Sequence, residues 1–217
     1  MAKAFIFDMD GLLIDSEPIW RGTEASVFVN LGMPVKPDDM YKTTGMFVSE
    51  VVDYWCEQFP SIKVDKQQTA QAIIDGVVAG IKAGAKMLPG AKNALQVCIS
   101  TGLPVALATS SRHSIIQAVL DKFDLADNFK VIKSAQDEPY GKPNPAIFIA
   151  TAKQLSIEPE DCLVFEDSLN GVIAAKAAKM KCIAVPAPEN YDDQRFSLAD
   201  IKLKSLQDFT ADTLRNL

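Results

Sequence analysis

Four short stretches hold most of the groups able to act on a substrate: Asp8-Met9-Asp10-Gly11, Thr109-Ser110-Ser111-Arg112, Gly141-Lys142-Pro143 and Glu166-Asp167-Ser168. Together they supply a carboxylate pair, a hydroxyl, a lysine and a second carboxylate pair. Asp8 and Asp10 are two apart, so at the end of an extended segment their side chains face the same side. One can serve as nucleophile and the other as acid or base. Mg²⁺ takes hard oxygen ligands and keeps some of its waters. Asp8 and Asp167, with a backbone carbonyl, offer such a set. The ion and Lys142 then neutralise a phosphate and the carboxylate approaching it, which otherwise repel. The Thr109 hydroxyl and the next backbone N–H, at a helix start, suit phosphate oxygens. Phosphoryl transfer depends chiefly on positioning and charge neutralisation, so this small set suffices for it. Each stretch alone also has a plain structural reading. Asp10-Gly11 makes a bend, Glu166-Asp167 suits a helix start, Lys142 suits a solvated loop, and Thr109 suits a helix cap. Their co-occurrence, each beside an apolar run, is what points to chemistry.

Five apolar runs read as buried strands: Ala4–Phe7, Val105–Ala108, Val131–Ile132, Leu163–Phe165 and Ile183–Val185. They lack strict alternation of polarity, as a parallel sheet covered on both faces requires. Amphipathic helices fall between them. One carries Ile115, Ile116, Val119 and Leu120, one starts at Pro145 after an Asn144 cap, and one carries Ala174, Ala175, Ala177 and Ala178. The alternation predicts an α/β, Rossmann-like, doubly wound parallel sheet, with ligands beyond the carboxyl ends of the strands. From Glu17 to Met87 no strand is legible. Ala70, Ile73, Ile74, Val77, Val78 and Ile81 share one helix face, and Val27–Leu31 and Val51–Trp55 suggest further helices. Residues 16–87 are therefore expected to form an inserted α-helical cap domain, with 1–15 and 88–217 as the core. Gly76, Gly80 and Gly84 are read as two tolerated glycines and a C-terminal cap, in preference to close helix approach.

The chain has 217 residues, 48% hydrophobic and 23% charged, with a formal charge of −6. This excludes disorder and a disulfide-stapled miniprotein, and an acidic balance disfavours nucleic-acid binding. The four cysteines, Cys56, Cys98, Cys162 and Cys182, form no C-x-x-C pair and read as reduced structural thiols. No run suits a signal peptide or a bilayer span, so a cytoplasmic protein without a membrane partner is expected, as a monomer.

The pieces FIFDMDGLLIDSE (5–17), VALATSS (105–111), GKPNPAIF (141–148) and CLVFEDSLNGVIAAKAA (162–178) resemble the haloacid dehalogenase superfamily of phosphotransferases. The resemblance implies an aspartyl-phosphate on Asp8, with Asp10 as acid and then base. It implies phosphate contacts from Asp8, Met9, Asp10, Thr109, Ser110 and Lys142, and Mg²⁺ on Asp8, the Asp10 carbonyl and Asp167. Glu166 either binds the ion itself or supports a group that does. The tail CIAVPAPE (182–189) and RFSLADIKLKSL (195–206) is similar to that of bacterial hexitol and deoxyglucose-6-phosphate phosphatases. The implied substrate is a small phosphorylated sugar, polyol or nucleoside. Alternatives are a mutase similar to beta-phosphoglucomutase, a pseudouridine 5′-phosphatase, and a non-catalytic binding module on the same scaffold. The mutases place a histidine on the first cap helix and an arginine after the cap-loop glycine. Here Trp20 stands at the first place, and Met46, Phe47, Val48 and Ser49 follow Gly45, which favours hydrolysis.

Trp20 and Glu17 would face substrate if the cap closes, or else serve packing and surface. His113, the one histidine, reads as an exposed residue of a helix's first turn. Asn170-Gly171 is expected to shape the turn after the second carboxylate pair.

Overall fold

The structure, a computed structural model, describes residues 2–43 and 46–215. Six parallel strands form one sheet: β1 (Ala4–Phe7), β2 (Val105–Thr109), β3 (Val131–Ser134), β4 (Cys162–Glu166), β5 (Lys181–Ala184) and β6 (Ile201–Lys202), in the order β3-β2-β1-β4-β5-β6. The order reverses at β1, so the crevice for a ligand opens between the carboxyl ends of β1, β2 and β4. Among the described residues, eight α-helices accompany the sheet: α1 (Glu17–Asn30), α2 (Val48–Gln58), α3 (Lys66–Gly84), α4 (Ala91–Ser100), α5 (His113–Phe123), α6 (Ala146–Leu155), α7 (Leu169–Ala177) and α8 (Ala211–Arg215). The doubly wound α/β class expected above is the one observed.

Strand residues alternate in size rather than polarity. Phe5, Phe7, Leu107, Leu163, Phe165 and Ile183 point to one face, with α4 and α5. Ala4, Ile6, Ala106, Ala108, Val164 and Ala184 point to the other, where α6 and α7 pack. The small face lets alanines of α7 lie close to the sheet. On the large face, Phe7 and Phe165 stack across the β1–β4 register, with ring centroids 4.2 Å apart.

Strand ends differ slightly from expectation. β3 continues to Ser134, and β5 spans Lys181–Ala184 and excludes Val185. β6, two residues long, was not foreseen, because it is too short to carry a period. The N-cap of α6 is Pro145 and not Asn144, whose Oδ1 accepts from Ala146 N at 3.0 Å in the turn leading into the helix.

Between β1 and β2 the chain leaves the sheet, forms α1, α2 and α3, and returns. The exit and return segments are paired. Asp15 N donates to Lys86 O and Leu88 N to Leu13 O, both at 2.9 Å, with Ile14 opposite Met87. The predicted face of α3 is buried at Ala70, Ile73, Ile74, Val77 and Ile81, with Val78 at its margin. The reading of Gly76 and Gly80 as merely tolerated is corrected. A Cβ on Gly76 would lie 2.6 Å from Thr23 Cγ2, and one on Gly80 2.5 Å from Ile19 Cγ2, so both let α1 lie against α3. Gly84 is the last residue of α3 and faces open space, and Ala85 holds the C-cap.

Candidate active site

The expected groups converge at the switch point. Asp8 follows β1 directly, its N–H donating to Phe165 O at 3.0 Å, so it stands beside the end of β4. Lys142 arrives from the β3–α6 connection. Its Nζ donates to Asp8 Oδ1 at 2.5 Å, Glu166 Oε1 at 2.6 Å and Ala108 O at 3.1 Å. The lysine is thus turned inward and spans the ends of three strands.

Glu166 is fully buried. Its second oxygen accepts from the N–H and the hydroxyl of Ser168, at 3.1 and 3.0 Å. Ser168 also caps α7 by accepting from Gly171 N at 3.0 Å. Gly171 is required here, because a Cβ would collide with the Glu166 carboxyl. Gly171 thus gives clearance within the first turn of α7 and does not shape a turn ahead of it, while Asn170 borders the cleft. Gly11 is required for two reasons. Its φ is +72°, and a Cβ would strike Asp167 Oδ2.

Asp8, Glu166 and Asp167 bring carboxylate oxygens within 4.8 Å of one another. Burial raises the Asp8 pKa to about 7 against the pull of Lys142, with Glu166 and Asp10 adding to the rise. Burial, then Glu166 and Asp8, lifts Asp167 well above the ordinary carboxylate range. For Lys142, burial pushes down, but Asp8 and Glu166 outweigh it and hold the ammonium firmly charged. Three carboxylates against one ammonium leave an excess of negative charge in a buried place. A small divalent cation with hard oxygen preferences fits that donor set.

The Asp10 carboxylate is separate from this cluster and is held by donors from two directions. Ser16 Oγ donates to its Oδ1 at 2.6 Å and Ser111 Oγ to its Oδ2 at 2.7 Å, with Thr109 Oγ1 at 3.4 Å and Trp20 Nε1 at 3.5 Å. Ser16 is the N-cap residue of α1, yet its hydroxyl makes no capping bond and serves Asp10 instead. Neither Ser16 nor Ser111 was foreseen. The only signal was position, since one precedes the first helix and the other follows Thr109-Ser110. Thr109 does not cap α5. Its Oγ1 accepts from Ser111 N at 3.1 Å and shapes the loop before that helix.

A cleft of about 860 Å³ lies over these groups. Asp8, Asp10, Thr109, Ser110, Lys142 and Asp167 line its floor. Glu17, Trp20, Arg21 and Glu24 of α1 line its roof, with Met46 to Glu50 at one side. Met9 is corrected as a side-chain contact: alternation turns it fully into the core, so it can offer a ligand only its backbone. His113 opens α5, is exposed, lies outside the cleft and pairs with Asp137 at 2.9 Å.

This sheet order with acidic strand ends, a buried lysine and a helical roof defines a hydrolase class, and the comparisons agree. A family model for the haloacid dehalogenase-like hydrolases matches residues 2–179. The chain belongs to that family and is an enzyme, a hydrolase. It is 41% identical to Hexitol phosphatase B of Escherichia coli (strain K12) over 212 residues, covering 97% of this chain and 96% of that protein. It is 32% identical to a protein of Drosophila melanogaster named "Probable pseudouridine-5'-phosphatase", covering 94% and 90%. The crystal structure of beta-phosphoglucomutase from Clostridium difficile shares the fold, with a TM-score of 0.84 at 24% identity, covering 100% of this chain and 96% of that one.

Proposed function

We propose that the chain is a Mg²⁺-dependent phosphoric monoester hydrolase acting on a small phosphorylated sugar or polyol through an aspartyl-phosphate on Asp8. The observation that carries this is the Lys142 ammonium lodged between Asp8 and Glu166 with Asp167 alongside. The names of the relatives supply the substrate class. Asp8, Asp167 and the Asp10 carbonyl are the residues to hold Mg²⁺, which when bound offsets the charge of the phosphate oxygens. Glu166 serves to hold Lys142, since both its oxygens are already engaged.

Asp8 attacks phosphorus in line. Its bond to phosphorus forms as the bond to the alcohol oxygen breaks, and Asp10 gives that oxygen its proton. Asp10, now a carboxylate, takes a proton from water, which attacks the acyl phosphate, releases phosphate and frees Asp8. Ser16 and Ser111 orient Asp10, while Thr109, Ser110 and Lys142 take the phosphate oxygens. Residues 16–87 act as a cap over the residues 1–15 and 88–217, excluding water and selecting the alcohol.

Hydrolysis is favoured over a mutase reaction by the side of the cleft that follows Gly45. Met46, Phe47, Val48 and Ser49 carry no cation for a second phosphate, and Gly45 before them lies outside the described residues. Four free thiols support a reducing, cytoplasmic setting, and among the described residues no helix is long and apolar enough to cross a membrane. We take the enzyme to work as a monomer.

The test is phosphate release across sugar, polyol and nucleoside monophosphates. Asp8→Asn should abolish it with the fold intact, and EDTA should silence it reversibly. Wild-type rates in either case would defeat the mechanism.

A further inference from the structure

Glu24 does not match its surroundings. It is 7% exposed, on α1 beside the buried Ala25 and Phe28, and among the described residues no hydrogen bond or ion pair reaches it. Its carboxyl oxygens are not among the enclosed polar atoms without a partner, so an otherwise buried side chain is open at its tip. It borders the cleft. Trp20, one turn earlier on the same face, points its Nε1 to Asp10 Oδ1. Glu24 therefore stands about 6 Å from Trp20 along the helix axis. That is a distance the carbon chain of a hexose or hexitol spans. Arg21, the one cation on α1, is turned to Glu17 at 3.3 Å and lies over the Tyr41 ring at 4.4 Å. Burial, with Glu17 nearby, raises the Glu24 pKa to about 8 against the pull of Arg21. The group is then mainly the neutral acid at pH 7, able both to donate and to accept.

Building on the phosphatase reading, we propose that Glu24 is a specificity-determining residue whose carboxyl hydrogen-bonds hydroxyl groups at the end of the substrate remote from the phosphate, selecting polyhydroxylated esters over esters of apolar alcohols. A site built to hydrogen-bond hydroxyls rejects analogues lacking them, because its buried polar group stays unpaired.

The experiment compares kcat/KM for sorbitol 6-phosphate with that for p-nitrophenyl phosphate. Glu24→Leu should lower the ratio of the two at least tenfold, and Glu24→Gln, which keeps hydroxyl contacts, should restore it to within about threefold of wild type. General damage lowers both rates together. An unchanged ratio in Glu24→Leu, or no rescue by Gln, overturns the proposal. If wild type releases phosphate from neither ester, the phosphatase reading fails, and the Glu24 contact is judged by calorimetry. Sorbitol 6-phosphate should bind Asp8→Asn at least tenfold more tightly than the Asp8→Asn/Glu24→Leu double variant. Equal affinity, or no binding to Asp8→Asn, overturns it.

Discussion

Lys142→Met removes the ammonium and keeps much of the side-chain volume. Three contacts go, at 2.5 Å to Asp8, 2.6 Å to Glu166 and 3.1 Å to the Ala108 carbonyl. The lysine is 5% exposed, and Asp8 and Glu166 are 8% and 0% exposed, so both carboxylates are left unpaired inside the protein. Breaking a buried pair from one side costs about 3–5 kcal/mol. At about 2–4 °C per kcal/mol for a chain of this size, metal-free protein should melt about 6–20 °C lower at pH 8. The sign with pH follows from proton binding. With the ammonium gone, Asp8 rises above its already raised value of about 7. The folded state then holds protons that the unfolded state has released, and stability falls as pH rises from about 4. The deficit should therefore shrink at pH 5. Adding Glu166→Gln should recover part of the loss at pH 8, since one unpaired charge is removed. The assay is thermal melting of EDTA-treated protein at pH 5 and pH 8. A variant melting with wild type at pH 8, or a deficit no smaller at pH 5, would refute the charge assignment.

The metal-free wild type should itself melt higher at pH 5.5 than at pH 8, because Asp8 and Asp167 carry raised pKa values in the folded state, and Mg²⁺ should abolish the difference. A flat melting profile without metal would contradict this. Ser111→Ala takes a 2.7 Å donor from Asp10 and should lower kcat about tenfold with little change in melting temperature. Ser16→Ala should act alike, and steady-state kinetics decides both. Gly80→Leu should push Ile19 and α1 off α3 and destabilise by about 1–3 kcal/mol in denaturant titration, whereas Gly84→Ala should be near neutral.

Much of this site was legible because its residues sit where strands end, and strand ends are marked by apolar runs. Asp8, Thr109, Lys142 and Asp167 could be placed before any coordinates. Ser16 and Ser111 could not, since a lone serine beside a helix start reads as a cap or a turn, and only the fold shows which neighbour its hydroxyl serves. Glu24 was hidden for a related reason. A polar residue at helical spacing from Glu17 and Arg21 reads as part of a wet face, until a helical segment folded over the sheet turns that face inward. Gly76 and Gly80 depended on the partner helix across from them, which periodicity within α3 does not contain. β6 has two residues and no repeat to detect.

The paired segments at Leu13–Asp15 and Lys86–Leu88 bear on how the helical part can travel. Two hydrogen-bonded ribbons side by side bend readily in one plane and resist twist, in the manner of a strap hinge and not of a ball joint. On the proposed cap reading, the roof has one path down to the floor. Trp20 would then meet Asp10 at the same spot on each descent, and the proposed phosphatase would keep its alcohol-reading surface in register with the reacting oxygen.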